Sequence, residues 1–291
     1  MKSLEGVIAK GIGGFYYVDT KAGLIECRAR GIFRKKGMSP LVGDEVVIST
    51  EDGKTGSVDE IKPRRNSLIR PAVSNVTHMM AVVALESPKP NPYVLDKLIA
   101  SAEFANLKIS VCFNKSDLVE DTSLADVYAS AGFNTVIASA ADNVNVDGLK
   151  ALLKDEITVF AGNSGVGKSS LLNRIMERDL FETGKISDKT ERGRHTTRHS
   201  ELVSLPFGGY IIDTPGFSSF ELDMIPLEEL PGLFREFKNH TTGCRFLDCR
   251  HISEPDCSVT AAIKNGEISQ VRHESYKQLY DEIKKAKQNQ F

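Results

Sequence analysis

The sequence predicts a multidomain protein with a small N-terminal β-barrel, a central α/β domain and a mainly helical, metal-binding C-terminal domain. Three observations lead to this fold class. Short extended runs separated by turns fill the first 65 residues, and apolar strands alternate with helical stretches after them. Three cysteines and a histidine then crowd into a short segment near the C-terminus. We place the domains at residues 1–65, 66–220 and 221–291.

Composition narrows the class of protein before any motif is considered. The chain has 291 residues, 41% hydrophobic and 26% charged, which is ordinary for a soluble globular protein and excludes a disordered, collagen-like or disulfide-stapled chain. No apolar run approaches the roughly 18–20 residues that a membrane span needs, and the N-terminus has no apolar signal core. An odd number of cysteines, five, fits a reducing compartment. We expect a cytoplasmic monomer with no membrane partner.

The first domain is expected to be a barrel of the oligonucleotide-binding (OB) type, built from extended runs at residues 4–10, 14–19, 24–30, 44–49 and 56–61. Residues 1–70 carry four more basic than acidic side chains, which favours RNA as a partner, although a chance imbalance explains the charge equally well. Strand alternation directs about half of the side chains into the core. The candidates for stacking on bases or meeting phosphates are Phe15, Tyr16, Tyr17, Phe33, Arg28, Arg30, Arg34, Lys35 and Lys36.

The central domain follows a predicted linker at residues 63–66 and 70–71. Continuous apolar runs alternate there with helical spacing, which indicates a parallel sheet covered by helices on both faces. The strands are predicted at residues 78–85, 108–113, 135–139, 157–161 and 210–212, and a helix at residues 92–106.

A phosphate-binding loop follows the strand at residues 157–161. Its glycines let backbone N–H groups turn toward phosphates, and the amino end of the next helix adds partial positive charge. Lys168 is expected to reach the β- and γ-phosphates, and Ser169 to bind Mg²⁺ through its hydroxyl. An ordinary glycine turn is the alternative, but strand, loop and helix follow in the required order. The predicted phosphate-binding residues are Gly162, Asn163, Ser164, Gly165, Val166, Gly167, Lys168, Ser169 and Ser170.

A base-reading motif, Asn114-Lys115-Ser116-Asp117, ends the strand at residues 108–113, at the sheet edge where open α/β sheets place ligands. The Asp117 carboxylate can accept hydrogen bonds from the N1–H and 2-amino groups of guanine, whereas adenine lacks that pair of donors. Asn114 is expected to hold the loop and Lys115 to pack along the base. A capped loop is the alternative for four residues alone. Together with the phosphate loop, the motif indicates a guanine nucleotide, GTP or GDP.

Three further segments are expected around the bound triphosphate. Asp213, in Asp213-Thr214-Pro215-Gly216, can hold Mg²⁺ through water, and the N–H of Gly216 can contact the γ-phosphate. A threonine between the phosphate loop and Asp213 is expected as an extra magnesium ligand, and two neighbouring threonines are candidates. The remaining predicted contacts are Ser139 and Ala140, which resemble the segment behind the base in GTPases, and Thr196 or Thr197 on Mg²⁺.

The cysteine and histidine cluster has the ligand set of a closed structural zinc site, three thiolates and one imidazole. Four protein ligands leave no open position, which argues against a catalytic zinc. Free buried cysteines and a surface histidine are the alternative, but the density of the cluster favours Zn²⁺. Cys27 and Cys112 lie in predicted strands and are interpreted as core residues. Helical segments at residues 227–238 and 270–287 flank the cluster, and the lysines of the second either contact RNA or form a solvated face. The predicted ligands are Cys244, Cys249, His251 and Cys257.

The order of the motifs is unusual, because the base-reading motif at residues 114–117 precedes the phosphate loop at residues 162–169. In most GTPases the phosphate loop comes first, so this chain is circularly permuted. The permuted core, the N-terminal barrel and the cysteine cluster together resemble the ribosome small subunit-dependent GTPase A (RsgA) family over nearly the whole chain. The resemblance implies a GTPase that binds the small ribosomal subunit and its rRNA during late assembly, is stimulated by the subunit and holds zinc in a Cys-x4-Cys-x-His-x5-Cys cluster.

Hydrolysis requires a group that orients the attacking water. Many GTPases place a glutamine directly after the Asp-x-x-Gly motif, but this chain has Phe217 there. We therefore expect slow intrinsic turnover, and His195 is our candidate catalytic residue. The alternative is that His195 only contacts RNA or caps a loop.

Two other functions remain possible from the residues alone. One is a GTPase in another RNA process, such as translation or RNA modification. The other is a zinc-containing RNA-binding assembly protein whose nucleotide site is only structural.

Because Gly216 lies just before residue 221, loss of the γ-phosphate is also expected to shift the zinc-binding segment.

Overall fold

The computed structural model describes residues 2–35, 37–68, 72–181, 200–213 and 224–288. As far as they are described, these residues form two compact units. One unit comprises Met1–His78, Lys150–Phe160 and Gly184–Phe217, and the other comprises Met79–Leu149, Ala161–Thr183 and Ser218–Phe291. The C-terminal segment thus shares a unit with much of the central region, and the domain boundaries argued from the sequence remain predictions. None of the helices in these described ranges has the length and apolar character needed to cross a lipid bilayer.

Strands fill the N-terminal part of the chain, and strands alternate with helices after it. The strands are β1 (Lys2–Ile12), β2 (Phe15–Thr20), β3 (Gly23–Ala29), β4 (Glu45–Thr50), β5 (Thr55–Ile61), β6 (Ser67–Leu68), β7 (Val73–Ser74), β8 (His78–Ala84), β9 (Lys108–Asn114), β10 (Asn134–Ile137), β11 (Ile157–Ala161), β12 (Glu201–Ser204) and β13 (Tyr210–Asp213). The α-helices are α1 (Ile32–Lys35), α2 (Pro92–Phe104), α3 (Ser123–Ser130), α4 (Val146–Leu153), α5 (Lys168–Met176), α6 (Ser258–Lys264) and α7 (Gln270–Gln288).

The first five strands close into the predicted barrel. β1 pairs with both β2 and β4, β2 pairs with β3, and β5 joins β3 to β4, so that the five strands form a ring. Alternate side chains point to the interior, where burial of apolar surface stabilises the barrel. The fully buried core residues are Ile8, Val18, Ile25, Val46, Ile48 and Val58.

The predicted linker at residues 63–66 is fixed to the barrel. Arg64 donates through Nε and Nη2 to the two carboxylate oxygens of Asp44, at 2.7 and 2.8 Å. Asp44 is fully buried and also accepts a 2.6 Å hydrogen bond from the hydroxyl of Ser74. The segment is therefore held by a paired, desolvated charge rather than left as a free tether. Residues 70–71 lie outside the described residues.

One strand differs from the predicted parallel arrangement. β11 and β13 are parallel, but β12 runs antiparallel to β13 and also pairs with β1. Lys10 and Glu201 lie opposite each other across β1 and β12 and form a 2.5 Å ion pair. The sequence analysis missed β12 because it has four residues and only Leu202 is buried, so it lacks a continuous apolar run.

The second unit contains the strands β10, β9 and β8 in that order, with β10 parallel to β9. Every residue of β8 is buried, as expected for a strand covered on both faces. α2 begins after Asn91, whose side-chain oxygen accepts a 3.3 Å hydrogen bond from the N–H of Val94, and Pro92 occupies the first turn.

The C-terminal part of this unit has its own apolar core beside α2. Buried aromatic rings of Phe234, Phe237 and Tyr276 contact one another with centroids 5.0–5.3 Å apart. α7 covers the whole of its predicted range and extends one residue beyond it. The helical segment predicted at residues 227–238 is instead two short 3-10 helices, Leu230–Leu233 and Arg235–Phe237, because Pro231 and Gly232 prevent a continuous α-helix.

A buried arginine joins α7 to α2. Arg272 is 1% exposed and donates to the carboxylate of Asp96 on α2 and to both oxygens of Glu236, at 2.7 and 3.1 Å. Its guanidinium also lies over the ring of Phe234, with 4.6 Å between the guanidinium carbon and the ring centroid. α2 and the C-terminal segment are therefore connected through desolvated charges as well as through apolar contacts.

Candidate functional site

The phosphate loop lies between β11 and α5, as the sequence predicts. Two of its glycines sit where only glycine fits. Gly162 has φ 145°, and a Cβ there would collide with the carbonyl oxygen of Val82. Gly167 has φ 94°, and a Cβ there would collide with the side-chain amide of Asn114. Gly162 thus lets the loop approach the backbone of β8, and Gly167 lets it approach the side chain of Asn114 at the end of β9.

Lys168 begins α5, and its ammonium is folded back over the loop. Nζ donates to the carbonyl oxygens of Gly162 and Asn163, at 2.7 and 2.8 Å. Burial lowers the pKa of Lys168. The cation is thus held beside the loop and the amino end of α5, where phosphate oxygens are favoured.

Asn114 is the residue that brings the two predicted loops together. It is the last residue of β9 and is 1% exposed. Its Nδ2 donates to the carbonyl oxygen of Val166 at 2.8 Å, and its Oδ1 accepts from the N–H of Ala140 at 3.1 Å. One buried amide therefore holds the end of β9, the phosphate loop and the segment after β10 in contact.

Asp117 stands at the open side of this junction. It is exposed, and one of its carboxylate oxygens accepts a hydrogen bond from the hydroxyl of Ser139. The N–H of Ser116 donates to the carbonyl oxygen of Ala138 at 3.1 Å, which fixes the same two segments a second time. Lys115 has φ 65°, and its ammonium donates to the carbonyl oxygen of Ser87. The carboxylate of Asp117 is therefore oriented by the hydroxyl of Ser139.

These residues surround a cavity of about 980 Å³, near the upper end of the usual range for small-molecule sites. Asp117 and Lys115 lie on its wall together with Gly167 and Ser170 from the phosphate loop and α5. The full lining comprises Asn114, Lys115, Asp117, Leu118, Ala140, Ala141, Asn143, Gly167, Ser170, Asn173, Arg174, Glu177, Arg178 and Asp179.

Ser170 is a predicted contact, but the contribution of the rest of α5 and of the turn after it is not predicted. Asn173 and Arg174 follow Ser170 by three and four residues and so lie on the same face of α5, and Glu177 follows at the end of the helix. That periodicity is visible in the sequence. The other lining residues that were not predicted are Leu118, Ala141, Asn143, Arg178 and Asp179.

Several predicted site residues lie wholly or partly outside the described part of the chain. Asp213 ends β13, and only its backbone is described. His195, Thr196, Thr197 and Gly216 lie outside the described residues, so their predicted roles remain predictions.

The four predicted metal ligands come together in the second unit. The Sγ atoms of Cys244, Cys249 and Cys257 and a ring nitrogen of His251 all lie within 4.8 Å of one another. Cys244 Sγ is 3.9 Å from Cys257 Sγ, and His251 Nδ1 is 3.6 and 3.4 Å from these two sulfurs. Tetrahedral zinc with ordinary bond lengths separates two sulfurs by about 3.8 Å and a sulfur from a nitrogen by about 3.6 Å. The donor set fits one tetrahedral ion.

The electrostatics of the cluster also suit a cation. Burial lowers the pKa of His251, which favours the neutral imidazole that metals bind. Burial raises the pKa of Cys249 to about 12, so its thiolate requires a nearby positive charge. Cys27 and Cys112, in contrast, are fully buried in β3 and β9, as predicted for core residues.

α7 supports the cluster from behind. His273 Nε2 lies 2.7 Å from the carbonyl oxygen of His251, and the hydroxyl of Tyr276 donates to the carbonyl oxygen of Arg250. The ring of Phe237 meets His251 edge-on, with centroids 5.9 Å apart. Such outer contacts orient metal ligands.

Comparison with protein families gives two adjoining matches. The model of the RsgA GTPase matches residues 61–223, and the model of the RsgA N-terminal domain matches residues 5–58. The first match contains both loops of the cavity, and the second covers most of the barrel.

Several relatives are similar over nearly their whole length. A Ruminiclostridium cellulolyticum protein described as small ribosomal subunit biogenesis GTPase RsgA is 48% identical over 285 residues, which cover 96% of this chain and 93% of the relative. A Caldanaerobacter subterraneus protein with the same description is 46% identical over 294 residues, which cover 100% of this chain and 99% of the relative.

Two solved structures have the same fold. YloQ, described as a circularly permuted GTPase, has a TM-score of 0.82 and 35% identity and covers 98% of this chain and 96% of its own. YjeQ from Thermotoga maritima has a TM-score of 0.83 and 33% identity, and it covers 97% of this chain and 99% of its own.

Proposed function

This chain belongs to the RsgA GTPase family, and we propose on that basis that it hydrolyses GTP to GDP and phosphate during biogenesis of the small ribosomal subunit. The observation that supports this most directly is the junction at Asn114, which joins a phosphate loop to an oriented carboxylate at one cavity. A phosphate loop alone suits any nucleotide, whereas a carboxylate at the base position favours guanine.

We propose that the nucleotide binds with its ring beside Asp117 and its phosphates on the phosphate loop. On binding, Lys168 exchanges its two carbonyl partners for phosphate oxygens. Ser169, Asp213 and one of the threonines at residues 196–197 would hold Mg²⁺, which would supply positive charge to the phosphates. The loop and Lys168 hold the phosphate chain in place.

His195 is our candidate for orienting the attacking water, since Phe217 has no group that can do so. Replacing His195 with alanine is expected to leave GTP affinity close to wild type and to lower subunit-stimulated turnover by roughly 10²-fold, the usual contribution of a general base. Unchanged stimulated turnover in His195→Ala would remove this role.

The Cys244–Cys257 cluster is proposed to bind one structural Zn²⁺. Cys244, Cys249, His251 and Cys257 would complete its coordination, which leaves no position for substrate. The zinc ion would hold the loop at residues 244–257 in its folded conformation, against α7.

The partners proposed are GTP and GDP, the small ribosomal subunit and its rRNA, with the chain acting in the cytoplasm as a monomer and without a membrane. The barrel carries one arrangement that suits RNA. The guanidinium of Arg28 lies 4.6 Å from the ring centroid of Phe15, and both residues lie on neighbouring strands. Phe33, in contrast, is buried and belongs to the core, and Arg30 is paired with Asp59.

The decisive experiment measures GTP turnover with and without purified small ribosomal subunits. We expect slow turnover alone and a clear increase with subunits. Lys168→Ala should abolish both through loss of phosphate binding. Turnover that is absent even with subunits would favour a structural nucleotide site, and turnover that subunits do not stimulate would favour another RNA process.

A further inference from the structure

Arg174 links the helix of the phosphate loop to the segment behind the base. It lies on α5, six residues after Lys168. Its Nε donates to the carbonyl oxygen of Ala140 at 2.9 Å, and its Nη2 donates to that of Ala141 at 3.3 Å. The planar, charged guanidinium of Arg174 therefore binds the carbonyl groups of two consecutive residues.

The segment that Arg174 holds forms part of the cavity wall. Ala140 and Ala141 line the cavity together with Asp117 and Arg174 itself. Guanine carries a 6-oxo group where adenine carries an amino group, so recognition of that oxygen requires an N–H donor at the wall. Peptide N–H groups of a loop can serve as such donors when the loop is held in position.

The segment has other hydrogen bonds as well. Asn114 accepts from the N–H of Ala140, Ser139 donates to Asp117, and Ser139 exchanges backbone hydrogen bonds with Val144. Asn114 also donates to Val166 and so joins the segment to the phosphate loop, whereas Arg174 joins it to α5 itself. Arg174 therefore adds a second link between the group that reads the ring and the helix that carries Lys168.

We propose that Arg174 is a positioning residue for guanine recognition, which acts by holding the peptide groups of residues 139–141 against the 6-oxo edge of the base. This inference rests on the proposed guanine-nucleotide function. Arg174 is exposed in this structure, and a nucleotide in the cavity would cover it and strengthen its hydrogen bonds. Lysine cannot replace it, because an ammonium lacks the fixed fork that meets two neighbouring carbonyls.

The test compares Arg174→Ala and Arg174→Lys with the wild type, using four nucleoside diphosphates in competition with a fluorescent GDP analogue. GDP and inosine diphosphate both have the 6-oxo group, whereas ADP and 2-aminopurine riboside diphosphate lack it. We expect both variants to bind GDP and inosine diphosphate about fivefold to tenfold more weakly, the loss typical of one or two such hydrogen bonds. The affinities for ADP and 2-aminopurine riboside diphosphate should change less than twofold.

Lys284→Ala is the control, because Lys284 is an exposed cation on α7 that does not line the cavity, so its removal takes away one positive charge elsewhere. The ratio of GDP to 2-aminopurine riboside diphosphate affinity should fall in the Arg174 variants and stay constant in Lys284→Ala. An equal loss for all four ligands, or full affinity in Arg174→Lys, would overturn the proposal. Failure of the wild type to prefer GDP over ADP would instead overturn the proposed function.

Discussion

Asp117 is the residue on which base selection depends. Its carboxylate accepts from Ser139 and faces the cavity, so it offers acceptors to the N1–H and 2-amino groups of guanine. Replacing it with asparagine places an N–H donor against those donors. We expect Asp117→Asn to lose GDP affinity by at least about 10²-fold, consistent with an unpaired buried donor, and to gain affinity for xanthosine diphosphate, whose 2-oxo group accepts that donor.

Titration calorimetry with GDP and xanthosine diphosphate checks this exchange. Glu120→Gln is a suitable control, because it removes one nearby carboxylate that does not line the cavity. Retained guanine preference in Asp117→Asn would show that another group reads the base.

Some individual residues could be assigned from the sequence and others could not. The glycines of the phosphate loop and Asp117 belong to contiguous motifs whose chemistry is local. Arg174 was missed because its partners lie 33 and 34 residues earlier in the chain, and nothing in its own neighbourhood indicates which carbonyls it meets.

The loop from Cys244 to Cys257 is the element whose order depends most on a ligand. Its three sulfurs and a ring nitrogen of His251 lie within 4.8 Å of one another, and thiolates at such distances repel one another unless a cation lies between them. Removing the metal with a chelator should therefore unfold the loop and, through His273 and Tyr276, loosen the adjoining part of α7.

Hydrogen exchange with and without chelator measures this effect. Chelation should remove the protection of residues 244–257 and leave that of the barrel strands unchanged. Added Zn²⁺ should restore the protection of residues 244–257. Cys249→Ser should behave like the chelated protein. Full protection of the loop in a protein shown to be metal-free would contradict a structural metal.

Elements with strong apolar patterns were predicted nearly to the residue, as β9 and β11 show. β12 and the segment at residues 227–238 were not. β12 exists because its neighbours β1 and β13 offer hydrogen bonds, and the 3-10 turns exist because aromatic side chains bury there despite Pro231. Both depend on tertiary contacts rather than on local propensity.

At the scale of the molecule, the buried guanidinium of Arg272 pairs with the carboxylates of Asp96 and Glu236 and so joins α2 to the C-terminal segment. Replacing it with methionine leaves the carboxylates of Asp96 and Glu236 buried without a cation. We expect Arg272→Met to lower the free energy of unfolding by about 3–5 kcal/mol, the usual cost of breaking a buried ion pair.

Urea unfolding followed by far-ultraviolet circular dichroism measures that cost. Lys284→Met on the same helix serves as the control, since Lys284 is exposed and should change stability by less than about 0.5 kcal/mol. Equal stability of the two variants would mean that the triad contributes little.

Nucleotide state is expected to change affinity for the ribosomal subunit. The sequence places Gly216 close before the zinc-binding segment, and Arg272 ties that segment to α2. A shift on loss of the γ-phosphate would therefore carry α2 with it. We expect tighter subunit binding with a non-hydrolysable GTP analogue than with GDP. Equal affinities would refute this, because a ligand shifts an equilibrium only through differential binding.

The pairing of Arg272 with Asp96 also has a consequence for synthesis of the chain. The two residues are 176 positions apart. At translation rates of roughly 5–20 residues per second, α2 leaves the ribosome about 9–35 seconds before its partner helix does. During that interval Asp96 has no guanidinium to meet and the outer face of α2 has no cover. The nascent chain should then be most open to chaperones and proteases, and both nucleotide-binding loops are made within that interval.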